Sequence, residues 1–346
     1  MPFKHRVAGS SPARLTISVK RHAPTFFKAL AGAGLICWLL SSGALNIVQV
    51  ARALAQWPIM LAMAALIYAQ VALTSGRWQA LLDAQQIPLT FGRTWGLTMI
   101  GMLFNVVVPG AVGGDFVKGY YITRAASSRK SYAATSILMD RAAGVAGLFL
   151  FGAAAVAANM REAVHSSATR SLTALTFAGA AGSLAALYLS LFAGGALSRW
   201  RVLPVAVRRA CDALHQYRKR SKVVLYALAL SIVNQGLTCF LYFLALRAVG
   251  ASGLSSGQFF LIVPLGLTAA ALPISPAGLG VGQAAFLGLF RIVSPAYATA
   301  GVNAITVYQV IVILVCLTGL YWYVSYRHEQ LPARSARKLP HTALRP

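Results

Sequence analysis

Acidic residues are scarce in this chain. Asp and Glu account for only six of its 346 residues, whereas Lys and Arg account for 31. Charged residues of both signs make up 11% of the chain, and a soluble domain usually carries about 25%. This composition argues against a soluble globular protein. The scattered carboxylates also argue against an active site built on clustered acids.

Cysteine and histidine are also few, and their positions do not suggest chemistry. The four cysteines show no metal-ligand spacing, and all six histidines lie outside the long apolar runs. Metal binding and general-base catalysis draw mainly on these residue types. We therefore expect no disulfide, no metal, no cofactor and no catalytic residue, and we predict that the chain is not an enzyme.

Apolar residues, in contrast, are abundant and occur in long runs. Hydrophobic residues make up 58% of the chain, and several runs reach the roughly 20 residues that a helix needs to cross a bilayer. These runs predict an all-α polytopic membrane protein. Six full crossings are expected, at roughly 28–50, 58–76, 131–157, 171–194, 223–246 and 303–326.

Two further apolar regions, 94–122 and 258–290, are interrupted by proline and glycine. Each is too long for one crossing and too broken for two. Broken backbone at membrane depth is tolerated only where protein or a water-filled cavity covers it. We therefore predict two re-entrant helical hairpins, each of which returns to the side of the membrane that it entered from.

The basic residues favour this topology. If the N-terminus is cytoplasmic, most basic residues, including Arg77 and Arg93, fall in cytoplasmic segments. The positive-inside rule requires such a bias, so both termini are predicted to be cytoplasmic. The net charge of +25 then indicates contact with anionic lipid headgroups rather than with nucleic acid. The arginines assigned to the outside are Arg52, Arg161, Arg170, Arg247 and Arg291.

The predicted elements follow the same order twice, with opposite orientations in the membrane. This predicts an inverted-topology repeat within one transmembrane domain, 28–326, with repeats at 28–158 and 171–326. The stretch "PGAVGGD" at Pro109 is echoed by "PAGLGVGQ" at Pro276. In inverted-repeat transporters, paired interrupted segments of this kind mark the substrate site.

The interrupted segments supply most of the candidate substrate-binding residues. Half-helix N-termini there would favour an anion such as a lipid phosphate. The alternative interpretation is that the glycines only allow tight helix packing. The candidates are Asn105, Pro109, Gly110, Gly113, Gly114, Pro273, Ser275, Pro276, Gly278, Gly280 and Gln283.

Four charged residues at membrane depth complete the candidate site. Asp115 and Lys118 are three residues apart and share a helix face, whereas Asp140 and Arg141 are adjacent and must find partners elsewhere. We expect the four to cluster beside the first hairpin, with Lys118 or Arg141 binding a lipid phosphate and the carboxylates holding them in place. The alternative is a purely structural charge network.

Three basic segments are expected on the cytoplasmic side. Residues 1–27 and 327–346 are predicted to be disordered. In the segment 199–222, Val207, Ala210 and Leu214 recur at helical spacing among basic residues. This segment is either an amphipathic helix on the anionic cytoplasmic leaflet or an ordinary basic loop between the repeats.

Three stretches carry a family resemblance. In this order, "VVPGAVGGDFVKGYYI", "SILMDRAAG" and "LPISPAGLGVGQAAF" resemble the signature segments of the lysylphosphatidylglycerol synthase transmembrane-region family, also called the flippase-like domain family. The resemblance covers about 28–326. It implies a multi-pass protein of the bacterial inner membrane, related to the flippase half of lipid-aminoacylating proteins.

Larger relatives carry a soluble aminoacyl-transferase domain after the membrane part. This chain ends about twenty residues past its last predicted crossing, so we expect it to lack the synthase chemistry.

Two departures from the family pattern affect this interpretation. Lys118 stands where the family usually has arginine, and lysine binds phosphate as a point charge without the bidentate fork. Gly282 and Gln283 stand where the family usually has an Arg-Glu pair, which leaves no second carboxylate for ion coupling.

Taken with the repeat and the hairpins, the resemblance favours a flippase-like transporter that moves a polar lipid or lipid-linked molecule between leaflets. Anionic phospholipid headgroups are the expected partners. One alternative is a non-catalytic assembly or regulatory protein in lipid or envelope metabolism. A membrane-embedded lipid-headgroup transferase is less favoured, because Asp115 and Asp140 are its only candidate carboxylate pair.

Overall fold

The fold is helical throughout the part of the chain for which structure is described. A computed structural model describes residues 33–107, 113–126, 129–164, 166–200, 202, 204–251, 253–270 and 279–330. Every regular element in these ranges is a helix, which agrees with the all-α prediction.

The helices are numbered in chain order. Up to residue 200 they are α1 (33–41), α2 (Ile47–Leu54), α3 (Trp57–Ala84), α4 (Phe91–Val107), α5 (Gly113–Ala125), α6 (Lys130–Ala158), α7 (Met160–Ala163), α8 (Ser167–Phe192) and α9 (Gly194–Leu197). They continue with α10 (Val205–Gln216), α11 (Ser221–Ala248), α12 (Ser256–Ala270), α13 (Val281–Val293), α14 (Ala298–Leu317) and α15 (Gly319–Gln330). Short 3-10 helices, Tyr217–Arg220 and Pro295–Tyr297, precede α11 and α14.

Within the described ranges, five helical segments are long and apolar enough to cross a membrane. They overlap the last five crossings predicted from the sequence, which confirms these as helices of membrane-spanning length. The five are Trp57–Ala84, Lys130–Ala158, Thr169–Phe192, Val207–Ala248 and Pro295–Tyr326.

The predicted crossing at 28–50 is wrong as a single helix, because the chain turns between α1 and α2. Gly43 has φ of +70°, a left-handed conformation that glycine adopts without a steric penalty. Asn46 then starts α2, since its side-chain oxygen accepts a hydrogen bond from the backbone N–H of Gln49 at 3.0 Å. These two local features override the continuous apolar pattern.

Helix α3 extends well past its predicted end at residue 76. Trp78, Leu81 and Leu82 are fully buried and continue the apolar face of the helix. Arg77 was therefore wrongly assigned to a cytoplasmic segment, because it lies inside α3 and is only 7% exposed.

Two pairs of short helices occupy the interrupted regions. Helices α4 and α5 have 17 and 13 residues, and α12 and α13 have 15 and 13. The members of each pair pack against each other. An Nη1 of Arg129, after α5, donates to the backbone oxygen of Gln85, before α4, at 3.1 Å. Gln258 Nε2, early in α12, donates to the backbone oxygen of Val293, at the end of α13, at 3.5 Å. In each pair, the start of the first helix and the end of the second therefore lie close together.

Helix α6 lies at the centre of the bundle, packed against α3, α5, α8, α10, α11 and α12. Its approach to α11 is close enough that a methyl group added at Gly147 would overlap Ser231. Helix α14 is held to α2 by a buried amide. The Nδ2 of Asn303 donates to Gln49 Oε1 at 2.5 Å, and its Oδ1 accepts from the N–H of Asn46 at 2.9 Å.

The three basic segments are described only in part. Residues 1–27 and those after 330 lie outside the described ranges, and α15 continues to Gln330. The segment 199–222 contains α10. Its Tyr217 is buried and donates to the backbone oxygen of Leu81 in α3 at 3.0 Å, whereas Val207 is 42% exposed.

Candidate functional site

A charged cavity of about 370 Å³ lies between α3, α4, α5, α6, α11 and α14. All four charged residues proposed from the sequence line it, and Arg77 joins them. Asn105 and three further amide side chains add polar groups to the wall. The charged residues are Arg77, Asp115, Lys118, Asp140 and Arg141, and the further amides are Gln70, Asn234 and Gln235.

The deepest charges form a buried ion pair. Arg77 Nε lies 2.8 Å from Asp140 Oδ1, and each side chain is 9% exposed. An Nη1 of Arg77 also donates to Ser231 Oγ at 2.6 Å, and that hydroxyl donates to the backbone oxygen of Ala227 at 2.7 Å. The guanidinium therefore ties α3 to α6 and α11. Because the guanidinium and the carboxylate form a hydrogen-bonded ion pair, neither buried charge is left uncompensated.

A second ion pair lies closer to the surface. Arg141 Nε lies 2.5 Å from Asp115 Oδ2, with the side chains 48% and 18% exposed respectively. This pair connects the first turn of α5 to the middle of α6. The adjacent residues Asp140 and Arg141 thus reach different partners, as their angular separation on a helix requires.

Lys118 differs from the other cations in the cavity. It is 9% exposed and has no ion-pair partner within the described ranges. Its Nζ lies 4.8 Å from the centre of the Trp78 ring, in the geometry of a cation–π contact. Trp78 is itself oriented by a hydrogen bond from Nε1 to Ser136 Oγ at 3.1 Å. The aliphatic stem of Lys118 lies against Gly101 of α4, where a methyl group would contact its Cε at 2.8 Å.

Asn105 and Gly114 join the two helices of the first pair. Asn105 Oδ1 accepts a hydrogen bond from the backbone N–H of Gly114 at 2.8 Å, which satisfies one of the free donors at the start of α5. A methyl group at Gly114 would overlap the backbone oxygen of Gly101 and the Oδ1 of Asn105. Glycine is therefore required there for close helix approach, in line with the packing interpretation of this residue.

Two of the candidates predicted in the second interrupted segment, Gly280 and Gln283, lie within the described residues, and neither lines this cavity. Gln283 is 1% exposed. Its Oε1 accepts from the N–H of Gly280 at 2.8 Å, and its Nε2 donates to Gln309 Oε1 at 2.7 Å. It caps α13 and bonds α13 to α14. Gly113 opens α5. The remaining candidates, Pro109, Gly110, Pro273, Ser275, Pro276 and Gly278, lie outside the described residues.

Sequence reasoning did not identify Arg77, Ser231, Trp78 or Gly101 as parts of the site. The apolar residues after Arg77 carried a usable signal, because they extend the helix beyond the arginine. Gly101 and Ser231 carried no such signal, since their roles depend on which helix packs against them.

The charge balance of the cavity determines what it can bind. Three cations face two carboxylates, and both carboxylates are engaged in ion pairs. The excess positive charge resides on Lys118 and favours an anion. Among the described residues no group of three or more His, Cys, Asp or Glu side chains could hold a metal ion.

These features define a multi-pass helical membrane protein with a charged cavity inside its bundle. A family model described as the lysylphosphatidylglycerol synthase TM region matches residues 25–317, and the chain belongs to this family. The match agrees with the resemblance seen in the three motifs. No curated protein matches the chain significantly. Family membership and the membrane-spanning helices together make it a membrane protein of lipid metabolism.

Proposed function

We propose that this chain moves a lipid with an anionic headgroup between the leaflets of the bacterial inner membrane, and that the headgroup passes through the charged cavity. The observation that carries the proposal is Lys118, a nearly buried cation with no carboxylate partner in the described residues, in a cavity where the other charges pair. Charged groups at membrane depth are costly and are usually retained for function. A headgroup phosphate would supply the missing counter-charge.

The size and position of the cavity support a headgroup as the ligand. Its volume of about 370 Å³ lies at the lower end of the range for small-molecule pockets, so the acyl chains would remain in the bilayer. Arg141 lines the cavity and is partly exposed, as access for a headgroup from outside the bundle requires. Membership in a family named for lipid synthases supports a lipid as the substrate.

We further propose that α4–α5 and α12–α13 are re-entrant hairpins in an inverted-topology repeat. Each pair consists of helices shorter than the roughly 20 residues that a crossing needs. Hydrogen bonds close both pairs at their outer ends, from Arg129 to Gln85 and from Gln258 to Val293. Interrupted segments of this kind at matching positions are typical of transporter binding sites.

Cysteine labelling tests this topology. Single cysteines at Thr90 and Lys130, which are exposed and flank the first pair, are expected to react with a membrane-impermeant maleimide from the same side. Cysteines at Ser256 and Ala296, which flank the second pair, are expected to react only from the opposite side. Labelling of Thr90→Cys and Lys130→Cys from different sides would show that the first pair crosses the membrane once and would exclude the repeat.

A lipid-movement assay tests the transport proposal. Purified full-length protein in proteoliposomes is expected to move a fluorescent phosphatidylglycerol faster than phosphatidylcholine, measured as headgroup exposure on the outer leaflet. Lys118→Gln should slow this movement about 10- to 100-fold, because a hydrogen bond to a charged group contributes about 1.5–3 kcal/mol. Lys118→Arg should retain most of the rate, since arginine also binds phosphate.

The matched control is Lys130→Gln, which removes an exposed lysine at the start of α6. Its rate is expected to equal that of the unmodified protein. Three results would contradict the proposal: equal movement of both lipids, an unchanged rate in Lys118→Gln, or no movement of any lipid by a well-folded protein. The last result would favour the assembly or regulatory alternative.

A further inference from the structure

A second cavity of about 710 Å³ lies beside α11 and differs in character from the charged one. It is bounded by α11, by Phe151 of α6, and by α12 with the chain that leads into it. Along α11 it extends from Gly236 to Arg247, a distance of eleven residues or about 16 Å at the helical rise. That length is close to half of the roughly 30 Å hydrocarbon core of a bilayer. The cavity is therefore about as long as one leaflet of the hydrocarbon core is thick.

The walls of this cavity are aromatic and aliphatic. Phe240 and Phe243 stack at 6.1 Å between ring centres. Phe243 meets Phe259 edge-to-face at 6.3 Å, and Phe259 meets Phe260 at 5.2 Å. Apolar cavities do not hold ordered water, because a water molecule needs several polar partners. A hydrocarbon chain, in contrast, gains dispersion contacts along the whole wall.

One cation lies at the end of the cavity. Arg247 is in the last turn of α11, and its guanidinium carbon lies 5.9 Å from the centre of the Phe243 ring. The side chain is exposed, and no carboxylate pairs with it in the part of the chain that the structure describes. A helix end that follows a membrane-spanning length of apolar residues is the level at which lipid headgroups lie.

We infer that this cavity binds one acyl chain of an anionic phospholipid of the surrounding bilayer, with the headgroup phosphate on Arg247. The aromatic wall matches the chain in chemistry and length, and the arginine matches the phosphate in charge. Lipid and protein interior are equally apolar, so chain burial alone gives little selectivity in a membrane. The preference for an anionic headgroup therefore comes from Arg247.

This site does not depend on the proposed transport function. Lys118 and the ion pairs line the other cavity, and neither Arg247 nor the phenylalanine wall contributes to it. Lipid binding at Arg247 and lipid movement past Lys118 can thus fail separately.

Native mass spectrometry of the full-length protein tests the site. The protein is titrated in detergent with dioleoyl phosphatidylglycerol or with dioleoyl phosphatidylcholine, and the bound lipids are counted. We expect at least one phosphatidylglycerol more than phosphatidylcholine to be retained. Arg247→Gln should weaken that additional binding about tenfold, and Arg247→Lys should restore part of it.

Two further variants distinguish the contribution of the acyl chain to lipid binding from that of the headgroup. Gly236→Leu is expected to reduce binding of both lipids, because the leucine side chain would occupy part of the cavity. The Cβ itself is tolerated at this position, since it would lie 3.7 Å from Phe151 Cε2, an ordinary contact. Arg291→Gln is the matched control, since it removes an exposed arginine at the end of α13, outside the cavity. Lys118→Gln should leave the Arg247-dependent lipid in place.

Three results would overturn the inference. Equal retention of the two lipids by the unmodified protein would show only adventitious annular lipid. If Arg291→Gln and Arg247→Gln weakened phosphatidylglycerol binding equally, the effect would come from surface charge in general. Unchanged lipid binding by a folded Gly236→Leu protein would show that the acyl chain does not bind in this cavity. Arg247 is exposed, so the Arg247→Gln measurement holds even if Gly236→Leu fails to fold.

Discussion

Replacing Asp140 by alanine is expected to lower the free energy of unfolding by about 3–5 kcal/mol, the cost of leaving one member of a buried ion pair uncompensated. The buried guanidinium of Arg77 would lose its only ion-pair partner in the described residues, while the side chain stays 9% exposed among three helices. The measurement is the equilibrium unfolding of the full-length protein in bicelles.

A double substitution distinguishes the lost pair from simple loss of packing. Arg77→Met with Asp140→Leu removes both charges and keeps side-chain volume, and such replacements are often neutral or stabilising. Ser231 would still donate to the backbone oxygen of Ala227, so no hydroxyl donor is orphaned. We expect the double variant to recover most of the stability. A double variant as unstable as Asp140→Ala would show that the pair is not the source of the loss.

The outer ion pair is the internal control for this experiment. Asp115→Asn is expected to cost less than about 1 kcal/mol, because Arg141 is half exposed and water screens the interaction. A cost equal to that of Asp140→Ala would contradict the assignment of the Arg77–Asp140 pair as the structural centre of the cavity.

Gly114→Ala is expected to disrupt the first helix pair, with a loss of stability of about 3 kcal/mol and of most lipid movement. The added methyl group would overlap the backbone oxygen of Gly101 and the side chain of Asn105. Backbone cannot move aside as a flexible side chain can, so α5 must shift away from α4. Such a shift displaces Asp115 and Lys118 together.

Gly119→Ala is the matched control on the same helix. A methyl group there meets only Ile137 Cδ1 at 3.7 Å, an ordinary contact. Because alanine favours the helix by up to about 1 kcal/mol over glycine, we expect unchanged or slightly raised stability and normal lipid movement. Thermal unfolding and the proteoliposome assay, applied to both variants, test this contrast. Equal behaviour of the two variants would show that the α4–α5 contact is not critical.

The membrane-spanning helices were largely predictable because each carries its own signal. The apolar runs of α3, α6, α8, α11 and α14 are local features, and the cost of exposing them to water does not depend on which helix lies beside them. The turn between α1 and α2 was missed, since the glycine and asparagine that cause it lie within an apolar run.

The charged residues show where prediction from sequence ends. Asp115, Lys118, Asp140 and Arg141 were identified because ionisable groups in apolar segments are rare. Their pairing was not predictable, as the partner of Asp140 lies 63 positions away in the chain. Arg77 was assigned to a loop because an arginine after an apolar run usually marks the end of a crossing.

The sequence by itself determined that the chain is an all-α membrane protein, which five segments form helices of membrane-spanning length, and four of the five charged residues of the cavity. These properties follow from the solvation of each segment and from the backbone preferences of glycine and proline. The tertiary structure decided that Arg77 joins Asp140, that Arg141 joins Asp115, and that Lys118 lines the same cavity without an ion-pair partner in the described residues. Pairing depends on distances between helices, which are set by packing contacts such as those of Gly147 and Gly114 that no single segment encodes.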